Sequence, residues 1–106
     1  MKIFNLLDKK EGDKFEAKLI SLKKNSQWKQ IIKFLEPYVD KYPEVYYINC
    51  EICGAYESVG DSKALIYVQK AYEIEPNDYY VLYKYSFALY LNDRYNEAIT
   101  ICKRIK

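Results

Sequence analysis

Residues Ala64–Pro76 read ALIYVQKAYEIEP, the spacing of a packing helix with a terminator. Small Ala64 and Ala71 fall on one helical face, with bulky Leu65, Val68 and Tyr72 beside them. Side chains this small let a neighbouring helix come close, and Pro76 has neither the N–H nor the room to continue the turn. A helix near Ser62 to Glu75 follows, and the rest of the chain can be phased from it.

The pattern recurs on both sides. Pro43-Glu-Val-Tyr46-Tyr47 returns as Pro76-Asn-Asp-Tyr79-Tyr80, an offset of 33. Ile31, Ala64 and Ala98 share one column, Leu35, Val68 and Cys102 a second, and Tyr38, Ala71 and Ile105 a third, at offsets of 33 and then 34. The extra residue belongs to a turn, since Gly60-Asp-Ser-Lys-Ala64 is shorter than Asn92-Asp-Arg-Tyr-Asn-Glu-Ala98. A period of this length marks a repeat architecture, in which each unit buries its apolar face only against the next.

The first twelve residues allow two readings. Ile3, Leu7, Phe15, Leu19 and Leu22 keep a helical phase, so either one helix runs through Gly12 or an arm, residues 1–12, precedes a helix near Asp13 to Lys24. The capping ability of Asp13 favours the arm. A helix from about Gln27 to Lys41 follows, with Trp28, Ile31, Ile32, Leu35 and Val39 inward and a kink expected at Pro37. The second repeat has helices near Glu44 to Val59 and Ser62 to Glu75, with Gly60 left-handed between them and Asp61 or Ser62 as cap. The third has helices near Asp78 to Leu91 and Arg94 to Arg104, where Asn92 and Asp93 replace the glycine at some cost in strain. No stretch alternates with period two between hairpin signals, so the expected fold is all-α, with six helices in antiparallel pairs.

The second repeat resembles a tetratricopeptide repeat (TPR). Ile52, Cys53 and Tyr56 look like the motif's leucine, small residue and tyrosine, followed by Gly60, Ala64, Val68, Ala71 and Pro76, although Asn49 stands in the tryptophan slot. The third repeat keeps Ser86, Ala98 and Ile105, with Leu82 for the tryptophan, and Tyr95-Asn-Glu-Ala98-Ile99 reads like the start of a second helix. Trp28 occupies the matching tyrosine slot in the first. The resemblance implies a short right-handed α-solenoid over residues 13–106, with repeats at about 13–43, 44–77 and 78–106, the last a candidate for truncation. It also implies a protein–protein interaction module that binds a peptide or protein surface in the concave groove of the first helices. The groove candidates it implies are Lys14, Ala17, Ser21 and Lys24, then Tyr47, Cys50, Glu51, Gly54 and Glu57, then Tyr80, Tyr83, Lys84, Phe87 and Tyr90. The lysine, asparagine and arginine set that clamps a C-terminal carboxylate in one groove type is missing, so chaperone-tail binding is not expected.

Composition narrows the function classes. Histidine is absent, which removes histidine-dependent triads and the usual nitrogen ligand of zinc. With no glycine-rich phosphate loop either, the chain is expected not to be an enzyme and to carry no cofactor or metal. Cys50-Glu-Ile-Cys53 puts two thiols on one helix face, but only Cys102 remains as a further ligand, so packing is the preferred role. The net charge is +2, with nine lysines against four acids in residues 1–33, three against eight in 34–77, and five basic against three acidic residues in 78–106. Lysines spread along helices are ordinarily a solvated face, so no nucleic-acid partner is expected, and contact of the basic ends with nucleic acid or acidic lipid would need steep salt dependence. No apolar run reaches the ~18 residues of a membrane span, and a cytoplasmic protein is the default.

The first helix of the third repeat carries the sharpest clue. Tyr80, Tyr83, Phe87 and Tyr90 form one stripe and Val81, Leu82, Tyr85, Ala88 and Leu89 another, with only Lys84 and Ser86 polar among them. A helix apolar all round must be covered all round or present a patch to something else. The stripe is either a ligand site or packing, with residues 1–12 as an arm able to cover it. Ile99, Cys102 and Ile105 would also lack a neighbour on one side, so either more repeats follow or this edge pairs with another chain, as in a homodimer.

Overall fold

The turns show why the helices stop where they do. Ser26 (φ 55°), Gly60 (φ 73°) and Asp93 (φ 61°) occupy the same place in each repeat, in the left-handed region. Each is bracketed by the same two hydrogen bonds: Ser26 N to Lys23 O and Gln27 N to Leu22 O, Gly60 N to Glu57 O and Asp61 N to Tyr56 O, Asp93 N to Tyr90 O and Arg94 N to Leu89 O. This is the scheme that satisfies the last carbonyls of a helix and reverses the chain. Glycine enters it without penalty only at Gly60; Ser26 and Asp93 carry a strain of about 1–2 kcal/mol each.

A computed structural model of the chain describes residues 8–105 and places six α-helices and no strand among them. They are α1 (Lys9–Lys24), α2 (Trp28–Lys41), α3 (Tyr46–Ser58), α4 (Lys63–Ile74), α5 (Tyr79–Leu91) and α6 (Tyr95–Cys102). The all-α expectation holds, and none of these helices is long and apolar enough to cross a membrane.

Helix α3 starts at Tyr46, two residues after the expected Glu44, and the boundaries near the two ends of the chain differ in more telling ways. Helix α1 starts at Lys9, not near Asp13, and runs through a buried Gly12. The side chain of Asp8 accepts from Glu11 N at 2.8 Å, and this cap offsets the roughly 1 kcal/mol that a helical glycine costs. Residues 8–12 therefore belong to α1 and its cap rather than to the expected arm of residues 1–12, and residues 1–7 lie outside the described residues. Helix α6 ends at Cys102 rather than Arg104. The Arg104 guanidinium turns back to bond Tyr72 OH, Pro76 O (2.9 Å) and Asn77 Oδ1 (2.7 Å), which fixes the chain after α6 against the start of the third repeat.

The other elements follow local rules. Asp78 caps α5 through Tyr80 N (2.9 Å) and Val81 N (3.1 Å), and Asp61, rather than Ser62, accepts from Lys63 N at the start of α4. Helix α2 runs on through Pro37. The Lys33 carbonyl, which loses its donor there, belongs to an exposed residue open to water.

Packing follows chain order, with each helix against the next and α3 also beside α5. Phe15 meets Phe34 and Tyr38, while Lys18, farther along α1, lies over Phe34, so α1 and α2 run in opposite directions. Glu51 faces Tyr80 and Glu57 faces Lys84, so α3 and α5 run the same way. The main core joins Phe15, Leu19, Ile31, Leu35, Val45, Ile48, Ile52 and Val68. Leu82, Leu89, Ala98 and Ile101 form a second cluster between α5 and α6. Ala71 is wholly buried against Cys50 and Val81, which shows what the small residue of the opening stretch does: it lets α5 lie on α3 and α4 at once.

Candidate functional site

The predicted groove residues divide between two surfaces, because α5 has a different neighbour along each edge. One edge looks toward α3. There Lys23 Nζ lies 3.1 Å from Glu51 Oε2 and 3.3 Å from Oε1, and Tyr80 OH donates to Glu51 Oε1 at 3.5 Å. Lys84 Nζ lies 3.7 Å from Glu57 Oε1, which also accepts from the Cys53 thiol at 3.2 Å. The ammonium of Lys84 occupies the space above Gly54, where an added Cβ would come within 2.8 Å of it. A small hollow of about 160 Å³ remains here, lined by Lys23, Trp28, Glu51, Gly54, Tyr80 and Lys84 among others.

Charge in this hollow is matched internally. Burial, and then the Glu51 carboxylate, push the hydroxyls of Tyr47 and Tyr80 well above the ordinary tyrosine value, so both stay neutral donors. Glu51 and Glu57 are almost enclosed. Cys50, predicted as a groove residue, is not one: it has no exposed surface and packs beneath α5 against Ala71 and Val81. Burial pushes its thiol up to about 12 and raises Cys53 as well, which leaves both thiols protonated and unreactive at neutral pH. On α1, Ala17, Ser21 and Lys24 are exposed, while Lys14 stands on the α2 side, beside Phe34, Tyr38 and Tyr42. The sequence reading missed Lys23, whose pairing with Glu51 depends on how α1 lies against α3.

The other edge of α5 looks toward α6 and is apolar. Tyr83, Phe87 and Tyr90 line a cleft of about 490 Å³ with Ser86 and, from the α6 side, Tyr95, Ala98, Ile99, Cys102 and Ile105. Tyr83, Phe87, Tyr90, Tyr95 and Ile99 each keep 45–58% of their surface exposed. Tyr90 and Tyr95 meet edge to face at 5.6 Å, and Tyr95 OH donates to Asp93 Oδ1 at 2.8 Å, so the rings are held in place rather than splayed into water. That hydrogen bond, and then the charge of Asp93, raise the Tyr95 hydroxyl. No lining residue is an acid or a base of the Asp, Glu, Lys or Arg kind. The expectation that Ile99, Cys102 and Ile105 lack full cover agrees with this surface. Tyr95 was missed, although Tyr95, Ile99 and Cys102 at i, i+4 and i+7 carry the helical signal that would have found it.

Among the described residues no group of three or more acids and cysteines is placed to hold a metal ion. No protein-family model and no curated protein matches the chain.

Proposed function

We propose that this chain is a TPR-like protein-interaction module, a short α-solenoid of three helix pairs, that binds through the cleft between α5 and α6. Its work is binding rather than catalysis. The solenoid reading is supported by the repeated turn geometry at Ser26, Gly60 and Asp93 and by the packing of α3 beside α5. One observation carries the binding reading: Tyr83, Phe87 and Tyr90 form a half-exposed aromatic row over an apolar cleft. Aromatic rings held by their neighbours lose little rotamer freedom on contact and supply much of the energy of protein interfaces.

The groove of the first helices, from Lys23 to Lys84, has its charges paired within the chain, so it favours a peptide less than the separate α5/α6 cleft does. A reducing, cytoplasmic setting belongs to the proposal, since the three cysteines are free thiols. The test is Phe87→Glu and Tyr83→Lys. Both are expected to abolish capture of the native partner while leaving far-UV circular dichroism and the melting temperature nearly unchanged. Loss of helical signal would make these residues core, and capture at the wild-type level would end the proposal.

A further inference from the structure

We infer that the occupant of the α5/α6 cleft is a second copy of this chain, docked about a two-fold axis. The inference rests on the proposed role of that cleft and adds the identity of the partner. Its first ground is shape. On one face the molecule carries both a ridge and a groove: Tyr83, Phe87 and Tyr90 stand up along α5, and the smaller Ser86, Ala98 and Cys102 lie in the furrow between α5 and α6. Two copies turned face to face can each lay the ridge of one helix into the furrow of the other, the way helices ordinarily pack. A two-fold interface needs this self-complementarity, because both partners offer the same patch.

Charge is the second ground. With no charged side chain lining the cleft, two copies bring no like charges together at its centre. At the rim, Arg94 and Glu97 neutralise one another at 2.6 Å, Arg104 is turned away onto Pro76 and Asn77, and the exposed Asp93, held by Tyr95 OH, and Lys103 stay in water. Burying such a face against itself therefore removes apolar surface from water without stranding an ion.

Area is the third. At about 200 Å² per ring, four half-exposed aromatics leave about 400 Å² of ring surface open on each copy. Covering all of it, with the open parts of Ile99 and Cys102, would bury about 1,000 Å² over the two copies, the size of a weak, reversible dimer.

The opposite end of the molecule argues against a head-to-tail chain. Helix α1 exposes Lys10, Asp13, Lys14, Lys18 and Lys24, with Ile20 its one large exposed apolar residue. Seating that face in the cleft would bury lysines without partners. A two-fold pairing uses each cleft once, so the association closes at two copies.

The experiment is sedimentation equilibrium of the full chain from low to high micromolar concentration, read beside the rate at which a small thiol reagent labels Cys102. That residue is a native probe, since it is exposed in the cleft whereas Cys50 and Cys53 are buried. The expected result is a mass that rises to twice that of the chain and stops there, with Cys102 labelled at least about tenfold more slowly in the dimer. Phe87→Glu and Ile99→Asp should be monomeric at every concentration with unchanged helicity, and Ile20→Glu should still dimerise. A wild type that stays monomeric throughout, a dimer that leaves Cys102 fully reactive, or a dimer lost in Ile20→Glu but kept in Phe87→Glu overturns the inference. Monomeric wild type whose partner capture is lost in Phe87→Glu removes only the second copy, whereas capture unaffected by Phe87→Glu removes the cleft as a binding site too.

Discussion

Replacing Lys84 with methionine tests whether the hollow between α3 and α5 is a support or a site. Methionine keeps most of the stem and deletes the ammonium, leaving Glu57 with 6% of its side chain exposed, one thiol donor on Oε1, and Oε2 without a partner. Removing one member of a buried ion pair costs about 3–5 kcal/mol, because the remaining charge is stranded out of water. The separation here is 3.7 Å and Lys84 keeps 17% exposure, which places the expected loss near the lower end, about 3 kcal/mol. Against a total stability of about 5–15 kcal/mol, that is a large fraction. In urea the midpoint should fall by about 1.5 M at a slope of about 2 kcal/mol/M, with the slope unchanged. Adding Glu57→Gln to the Lys84→Met protein should recover the loss to within about 1 kcal/mol, since no unpaired charge is then left inside. A Lys84→Met protein within about 0.5 kcal/mol of wild type would give the pair the worth of an exposed one, and failure of the second substitution to recover stability would show the loss came from packing. The first result would return Lys84 to the groups free to meet a ligand.

Four further outcomes follow from the geometry. Asn49 is 1% exposed with its Oδ1 unpartnered, so Asn49→Leu, close to it in shape, should raise stability by about 1–2 kcal/mol in denaturant titration; a loss would mean that the amide is satisfied. Ala71→Leu forces a branched side chain between Cys50 and Val81 and should cost about 1–3 kcal/mol, whereas a neutral result would show that α5 can stand off. Asp78 both caps α5 and accepts from Tyr46 OH at 3.0 Å, so Asp78→Ala should cost about 1–2 kcal/mol and Asp78→Asn less, as read from thermal melts. The fourth concerns alkali. Cys50 is raised from 9.0 to about 12 by burial, and Cys53, Tyr47, Tyr56 and Tyr80 are raised too, so the unfolded chain sheds these protons first. A raised folded value gives stability that is complete below the unfolded value and lost as pH climbs toward the folded one, so the urea midpoint should fall steadily above pH about 9. A flat profile from there to pH about 11 would contradict the burial of these groups.

What the sequence made legible was whatever depends on neighbours along the chain. Ala64, Ala71 and Pro76 announced a closely packed helix and its end, and both alanines are buried where a neighbour needs them to be small. The sequence also located all three turns, at Asn25 and Ser26, at Gly60 and at Asn92 and Asp93, but the left-handed backbone at Ser26 was not legible, because serine does not advertise one. The start of α1 was misjudged because Asp13 is a good cap residue, which favoured an arm over the alternative of one helix through Gly12. Only the structure shows that the chain carries Gly12 inside the helix rather than in front of it.

The candidate site was harder to read, for a geometric reason. At 3.6 residues per turn, Tyr80, Phe87, Lys84, Tyr83 and Tyr90 spread over roughly a third of the circumference of α5, which a pattern registers as a single face. Lys84 lies at one edge of that arc and Tyr90 at the other. A helix α3 on the first side and a helix α6 on the second turn one stripe into two surfaces of opposite character, and the distance between those neighbours is a tertiary fact with no trace in the local spacing. The lone lysine in an otherwise uncharged stripe was nevertheless the signal: an ammonium there needed a carboxylate, and Glu57, one repeat earlier on α3, supplies it. No such demand arises from Tyr83, Phe87 or Tyr90. Their edge of α5 is therefore the one that the chain's own electrostatics leave uncommitted, and it is the edge that the proposed partner would cover.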